Sequence, residues 1–384
     1  MKKTAFITYL IFLIIFQSCT TTSFQQNLEV KKSLNGFNEK VDSIVISKMN
    51  EYNIPGLSIG LVKNDTIMYA TGYGVRNIEK QNPVSERTIF HTASISKLFT
   101  SSAIIQLVND GLISLDDKLY TIVPELKFKD ERIKKISIKN LLNHTSGLPD
   151  VRDYHWENNN QSDTSLKDYV SSLNLALDST PALAYSYSNL GYNLLGYVIE
   201  KKTGILFEDY LKTNILLASG MVSSDFRYFQ IHDSLITSPH SKSKTSGNVY
   251  ERETYPYTRE HAASSTLNAS ALELSMWMNY FLKKAKQNTP GNNYALTLAP
   301  TSAKFSNVGL GFQQYHFESK HAIGHYGGDK GFRGFLMMIP EDNVGLVVLG
   351  NCDYNEDFRQ EIIHPIAKLM LTMQIENMTY SKLQ

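Results

Sequence analysis

The stretch His91-Thr-Ala-Ser94-Ile-Ser-Lys97-Leu-Phe-Thr100 opens an apolar run, Leu98 to Val108, that stops at Asp110-Gly111. The run reads as a helix with Gly111 as its left-handed stop. It is apolar almost all round, which places it in the interior. Positions i and i+3 of a helix share a face, with Cβ atoms roughly 5–6 Å apart, so Lys97 reaches Ser94. A serine hydroxyl is a weak nucleophile until a neighbouring base takes its proton. A lysine serves as that base where burial or a nearby cation lowers its pKa. Ser-x-x-Lys alone is a short pattern, and it recurs at Ser241-Lys-Ser-Lys244 in a polar stretch without helical spacing. The helix start and two later segments set Ser94 apart.

The first of these is Tyr185-Ser-Tyr187-Ser-Asn189. It opens a helix whose buried stripe is Leu190, Leu194, Leu195, Val198 and Ile199, closed by Gly204. A phenol at that helix start can share a proton with Lys97 and Ser94. An asparagine amide offers a donor and an acceptor to a substrate amide. The ordinary reading is a turn capped by Ser188 or Asn189. The second segment is Gly324-His325-Tyr-Gly327-Gly328-Asp-Lys-Gly331, between strands expected at Val308–His316, Phe332–Ile339 and Val344–Leu349. Paired glycines at a strand edge let a ligand approach the backbone. The ordinary reading there is a turn with positive φ, and a lone histidine such as His325 is more often structural than catalytic.

Near the start, Leu34–Tyr52 has helical spacing, and Leu57–Val62 and Thr66–Val75 form a hairpin about Lys63-Asn64-Asp65. Gly56-Leu-Ser58-Ile-Gly60 fits the Gly-x-Ser-x-Gly pattern, but that elbow must follow a strand and open a helix. This copy follows a helix and Pro55 and opens a strand, so Ser58 reads as a small strand residue. Further helices are expected at Leu166–Leu177, after a capping box at Ser270-Ala-Leu-Glu273, and over Asp353–Met373. Residues 150–163 are polar with Tyr154, His155 and Trp156, and are either a site rim or a solvated loop; residues 238–250 read as an exposed loop. With no long βαβ alternation, the fold class is α+β: one antiparallel sheet built from both chain ends, plus a mostly helical lobe within about 95–300. The active residues belong in the cleft between them.

Residues 1–18 stand apart from the fold. Lys2-Lys3 precedes an apolar core, Ala5 to Phe16, that is short for a bilayer and runs into Phe16-Gln-Ser-Cys19. This looks like a bacterial lipoprotein signal with lipid placed on Cys19; an ordinary signal peptide and an uncleaved anchor are the alternatives. Residues 19–35 then form a tether and 36–384 the folded domain, lipid-anchored in the cell envelope and facing the periplasm or exterior. The chain has two cysteines, Cys19 and Cys352. With Cys19 lipidated no disulfide is expected, and Cys352 is a small buried thiol. The 38 basic and 37 acidic residues leave a formal charge of +1 without a basic block, so no nucleic-acid partner is expected.

Ser94-x-x-Lys97, Tyr187-x-Asn189 and His325-x-Gly327, in that order, resemble the serine β-lactamase and penicillin-binding-protein superfamily. Together with Leu141-Leu-Asn-His-Thr-Ser-Gly-Leu-Pro149, they are most similar to the branch holding class C β-lactamases and related esterases, D-aminopeptidases and D,D-carboxypeptidases. The resemblance covers about residues 36–375. It implies that Ser94 is acylated, that Lys97 and Tyr187 handle the proton, and that Asn189 binds the substrate amide. It places His325, Gly327 and Gly328 on a sheet edge facing the cleft, with the N–H groups of Ser94 and Gly328 as the oxyanion hole. No metal or cofactor is implied, and the partner is a small-molecule or peptide substrate, with cell-wall peptides among the candidates. Many class C enzymes have Lys-Thr-Gly where this chain has His325-Tyr326-Gly327. The histidine form points to an esterase or D-peptidase rather than an efficient β-lactamase. An ordinary histidine would regain a cation as pH falls toward roughly 6, favouring carboxylate-bearing substrates there. The alternative is a non-hydrolytic relative that binds penicillin or senses cell-wall peptides.

Overall fold

The structure is a computed structural model and describes residues 35–287, 289–354 and 358–373. The segments expected as signal peptide and tether, with Cys19, lie outside the described residues apart from residue 35. The chain divides into two compact units, residues 1–47 and 48–384. Of the first, the described part begins a helix over residues 35–52 (α1), on which Phe37, Val41 and Val45 are buried. All other elements belong to the second unit.

Strands β1 (Gly56–Lys63) and β2 (Thr66–Gly74) form the expected hairpin. Asn64 and Asp65 both take positive φ, 50° and 62°. That is the two-residue turn that matches strand twist, and Asn and Asp are suited to it. The Ser94 stretch is a 3₁₀ turn, Ala93–Ile95, running into α2 (Ser96–Asn109). At its far end the Leu112 amide donates to Leu107 O and the Gly111 amide to Val108 O, with Gly111 at φ 71°. These two bonds satisfy carbonyls that the helix end would orphan. Helix α3 (Asn189–Thr203) follows Tyr187, with Ser188 as its N-cap, and α4 (Ala271–Lys286) follows Ser270. The remaining elements are β3 (Gln313–Phe317), β4 (Lys320–Asp329), β5 (Phe332–Ile339), β6 (Val344–Gly350) and α5 (Phe358–Thr372).

The sheet order is β2-β1-β6-β5-β4-β3, antiparallel throughout, so strands from both chain ends make one sheet as expected. Its two faces are set by residue parity. A Cβ added at Gly345 would meet Met278 of α4, whereas one added at Gly350 would meet Phe358 of α5. These positions are an odd number apart on β6, so α4 and α5 cover opposite faces. Helix α2 is buried on nearly every side, from Ser96 to Ile105.

Four local expectations are corrected. The helix read over 166–177 ends at Ser172, because Asn174–Leu175 instead pairs in parallel with Lys127–Phe128. Residues 238–250 are not one exposed loop: His240–Lys242 pairs with Val249–Glu251, His240 and Ser241 are buried, and only the turn between the two strands, 244–248, is exposed throughout. The strand read from Val308 starts at Gln313, after Gly311 at φ 87°. Only half of the 270–273 capping box forms. Ser270 Oγ accepts from the Glu273 amide, but the Glu273 carboxylate turns to the Ser223 amide and the Ser224 hydroxyl.

Candidate active site

The nucleophile turn is held from two sides. Ser96 Oγ donates to Ala93 O at 2.6 Å and accepts from the Leu267 amide at 2.9 Å. The Thr92 amide donates to Leu267 O at 2.8 Å. Ala93 carries a positive φ of 49°, a conformation that costs a non-glycine residue about 1 kcal/mol or more. This strain sits one residue before Ser94, which is half-buried. Strand β4 packs directly on the turn: a Cβ added at Gly327 would run into the Thr92 carbonyl oxygen.

Lys97 is fully buried. Its Nζ donates to Ser94 Oγ at 3.1 Å, Asn189 Oδ1 at 2.6 Å and the Ser264 carbonyl at 2.7 Å. Burial lowers its pKa to about 7, against the opposing pull of Asp150 and Asp329. Two of the three acceptors, an amide oxygen and a backbone carbonyl, can only accept. A neutral Lys97 therefore gives them its two N–H bonds and turns its lone pair to Ser94 Oγ. Tyr187 OH donates to the same Oγ at 3.0 Å. Burial pushes the phenol pKa up, only partly offset by the bond to Ser94, so Tyr187 stays a neutral phenol. The Lys97 ammonium lies 5.1 Å from the Tyr187 ring centre.

The N-terminus of α3 is tied to the 144–150 turn. Ser188 Oγ donates to Pro149 O and accepts from the Gly191 amide, 2.9 and 3.1 Å. The His144 ring stacks on Tyr187 with centroids 4.4 Å apart, and its Nδ1 accepts from the Ser188 amide at 3.1 Å. Burial, with lesser contributions from Lys97 and His325, pushes the His144 pKa well below the ordinary value, so this ring is neutral. Asp150 Oδ1 accepts from the Asn189 amide at 2.7 Å and Oδ2 from Asn189 Nδ2 at 3.2 Å. His144 lies in the Leu141–Pro149 stretch already noted, but nothing in the sequence gives it a bond to α3. Ser264 contributes a carbonyl, which no side-chain pattern can reveal.

His325 stands on β4 with its ring 6.1 Å from that of Tyr187. Its Nδ1 lies 2.5 Å from Tyr326 O and donates to it, leaving Nε2 buried without a partner among the described residues. Burial, helped by the Lys97 charge, lowers its pKa to about 3. This overturns the expectation that His325 regains a cation near pH 6: the ring has no water to solvate its charge and faces an ammonium. Strand β3 pairs with β4 only from Lys320 to Gly324. Beyond that point the ladder stops: the Tyr326 amide donates to the Gln313 side chain at 3.3 Å, and Gly328 lies exposed further along the strand.

The 150–163 stretch is built into the site rather than solvated throughout. Trp156 is 2% exposed, and its indole Nε1 donates to Asp329 Oδ1 at 3.0 Å. The rival serines lie elsewhere. Ser58 Oγ donates to Thr71 O within the hairpin, and Ser241 Oγ donates to Asp353. Cys352 is buried. Among the described residues no cluster of His, Cys, Asp and Glu could hold a metal ion, and no helix is long and apolar enough to cross a membrane.

A comparison with family profiles matches residues 41–369 to the family described as Beta-lactamase. Protein flp of Staphylococcus aureus is 26% identical over 372 residues, covering 90% of this chain and 68% of that protein. Penicillin-binding protein 4* of Bacillus subtilis is 25% identical over 321 residues, 77% of this chain and 68% of that one. Among solved structures, an octameric penicillin-binding protein homologue from Pyrococcus abyssi superposes with a TM-score of 0.74 at 26% identity, over 86% of this chain and 77% of its own. A class C β-lactamase gives 0.72 at 21%, over 89% and 98%, a likeness of fold.

Proposed function

The chain belongs to the β-lactamase family, whose fold is of the serine hydrolase type, and we propose that it works through an acyl-enzyme on Ser94. One observation carries this reading: a buried Lys97 with a pKa of about 7, whose lone pair faces Ser94 once its N–H bonds go to Asn189 and Ser264. The Ser94 oxygen attacks the substrate carbonyl carbon while its proton passes to Lys97 Nζ. The carbonyl oxygen takes up the electron pair and meets the N–H groups of Ser94 and Gly328. When the carbonyl re-forms, the C–O or C–N bond of the leaving group breaks. Tyr187 donates a proton to the leaving atom, and the proton held by Lys97 replaces it. Water then hydrolyses the ester on Ser94 and restores the hydroxyl.

The substrate we favour is an ester or a D-amino-acid amide or peptide. A fixed cation opposite a β-lactam carboxylate would contribute roughly 1.5–3 kcal/mol, and a neutral His325 supplies none. Mass spectrometry after incubation with esters, D-amino-acid peptides and β-lactams tests the reading. A transient acyl adduct on Ser94 with product release is expected from esters or peptides. An adduct that forms and never clears would make the protein a penicillin-binding sensor. Ser94→Ala should abolish labelling by a fluorophosphonate, while Ser58→Ala and Ser241→Ala leave it; labelling that survives loss of Ser94 would sink the mechanism. The envelope location is proposed on the Ser18-Cys19 signal alone. Cys19→Ala should release the protein from the membrane fraction, and a variant that stays bound refutes the anchor.

A further inference from the structure

We propose that Asp150 is a positioning residue for Lys97, acting through the Asn189 side chain. The proposal rests on the reading of Lys97 as the base. Three bonds make the connection, two of them in series through the Asn189 side chain. The Asp150 carboxylate receives both the Asn189 backbone amide, at 2.7 Å, and Asn189 Nδ2, at 3.2 Å. The opposite end of that amide, Oδ1, receives Lys97 Nζ at 2.6 Å.

A carboxylate only accepts, so it forces the NH₂ end of Asn189 toward itself and the oxygen toward Lys97. Without that charge only the bond from Lys97 sets the amide's orientation, and a neutral Lys97 holds it weakly. The flipped amide would present NH₂ to Lys97, disfavouring the ammonium and leaving the free amine one fewer acceptor to hold it. Asn189 thereby serves the base at both ends, and at most one of its N–H bonds remains for a substrate.

The other groups facing Lys97 do not duplicate this role. Asp329 on β4 is a second negative charge but is engaged by His91, Trp156 and Ser265. His325 on β4 and His144 in the 144–150 turn are held neutral, as are the phenols of Tyr187 and Tyr192. Asp150 is itself exposed. Its replacement leaves the core intact, and water screens part of its charge.

The experiment follows the Lys97 side chain by ¹³C NMR as a function of pH, in wild type and Asp150→Asn, with the resonance assigned by Lys97→Arg. Fluorophosphonate labelling rates are measured on the same samples. Loss of the carboxylate should lower the Lys97 pKa by about 0.5–1 unit, less than a directly contacting opposite charge gives, because the exposed carboxylate acts through Asn189. The acid limb of labelling should move down with it. The difference should persist in about 0.5 M KCl, where exposed charges are screened. An unmoved Lys97 pKa, or a difference that vanishes in salt, overturns the positioning role. A shifted Lys97 pKa in a wild type that does not label at Ser94 keeps the role and removes the hydrolase reading. Asp150→Ala, which neither carries charge nor accepts, should shift the pKa likewise and provides the same test should the asparagine variant misfold.

Discussion

His325 shows how far one residue's burial can redirect a reading of its type. The sequence supplies an imidazole with an ordinary pKa of about 6.5, and from that follows a cation regained near pH 6. The fold removes the ring from water and sets it near Lys97, and the pKa falls to about 3. The sign of the consequence is fixed. Above about pH 4 the folded ring is neutral, so the ratio of nitrocefin to p-nitrophenyl acetate kcat/KM should stay flat between pH 5.5 and 8.5. A ratio that climbs several-fold toward pH 5.5 would show His325 titrating inside the site. The folded pKa is depressed and the unfolded ring takes a proton first. His325 therefore contributes stability that is fully present above about pH 6.5 and is lost as pH falls toward 3. Ser94 and Lys97 were legible because their spacing survives any packing. The pKa of His325 was not, because it belongs to the environment and not to the residue.

At the scale of the element, β4 matters most. From sequence, Gly324–Gly331 read equally well as a turn or a strand edge; it is strand through Asp329, and its glycines have different tasks. Gly327 lies against the Thr92 carbonyl, where an added Cβ collides with backbone that cannot yield. Gly328 has room, with Arg333 the nearest neighbour at 3.4 Å. Gly327→Ala should push β4 off the nucleophile turn and reduce kcat/KM by about a hundredfold, the effect of roughly 1 Å of misplacement. Gly328→Ala should melt within a degree or two of wild type. Equal melting temperatures and activities for the two would mean that β4 does not set the position of the turn. Helix α3 was legible at both ends and α2 at its C-terminus because stop and cap chemistry is local: Gly111, Ser188 and Gly204 each act within a few residues. The short pairings at 174–175 and 240–251 were not, since each depends on a partner strand that no local pattern announces.

Across the second unit, Asp329 joins pieces that sequence analysis kept apart. Its carboxylate accepts from the Trp156 indole at 3.0 Å, the Ser265 hydroxyl at 3.1 Å and the Lys330 amide at 2.9 Å, with His91 Nε2 at 3.4 Å. The end of β4, the 150–163 stretch, the segment after His261 and the start of the nucleophile stretch thus meet on one partly buried charge. Burial opposes that charge, but these donors outweigh it and hold the carboxyl pKa below the ordinary range. The stability it contributes is therefore present above the unfolded carboxyl pKa and lost as pH falls through the folded one. Asp329→Asn removes the charge and turns an NH₂ group toward groups that donate, so at least one buried donor loses its partner. The expected cost is about 2–3 kcal/mol, or several degrees in melting temperature. Trp156 should report the same event, because the only other tryptophan, Trp277, is buried against Phe99 and Phe281 away from this carboxylate. Freed from Asp329, the indole should enter water and shift its emission to the red. The variant should also lose less stability than wild type between pH 5 and 3, having no carboxyl there to protonate. A melting temperature and emission spectrum identical to wild type would show that the four segments hold together without this charge.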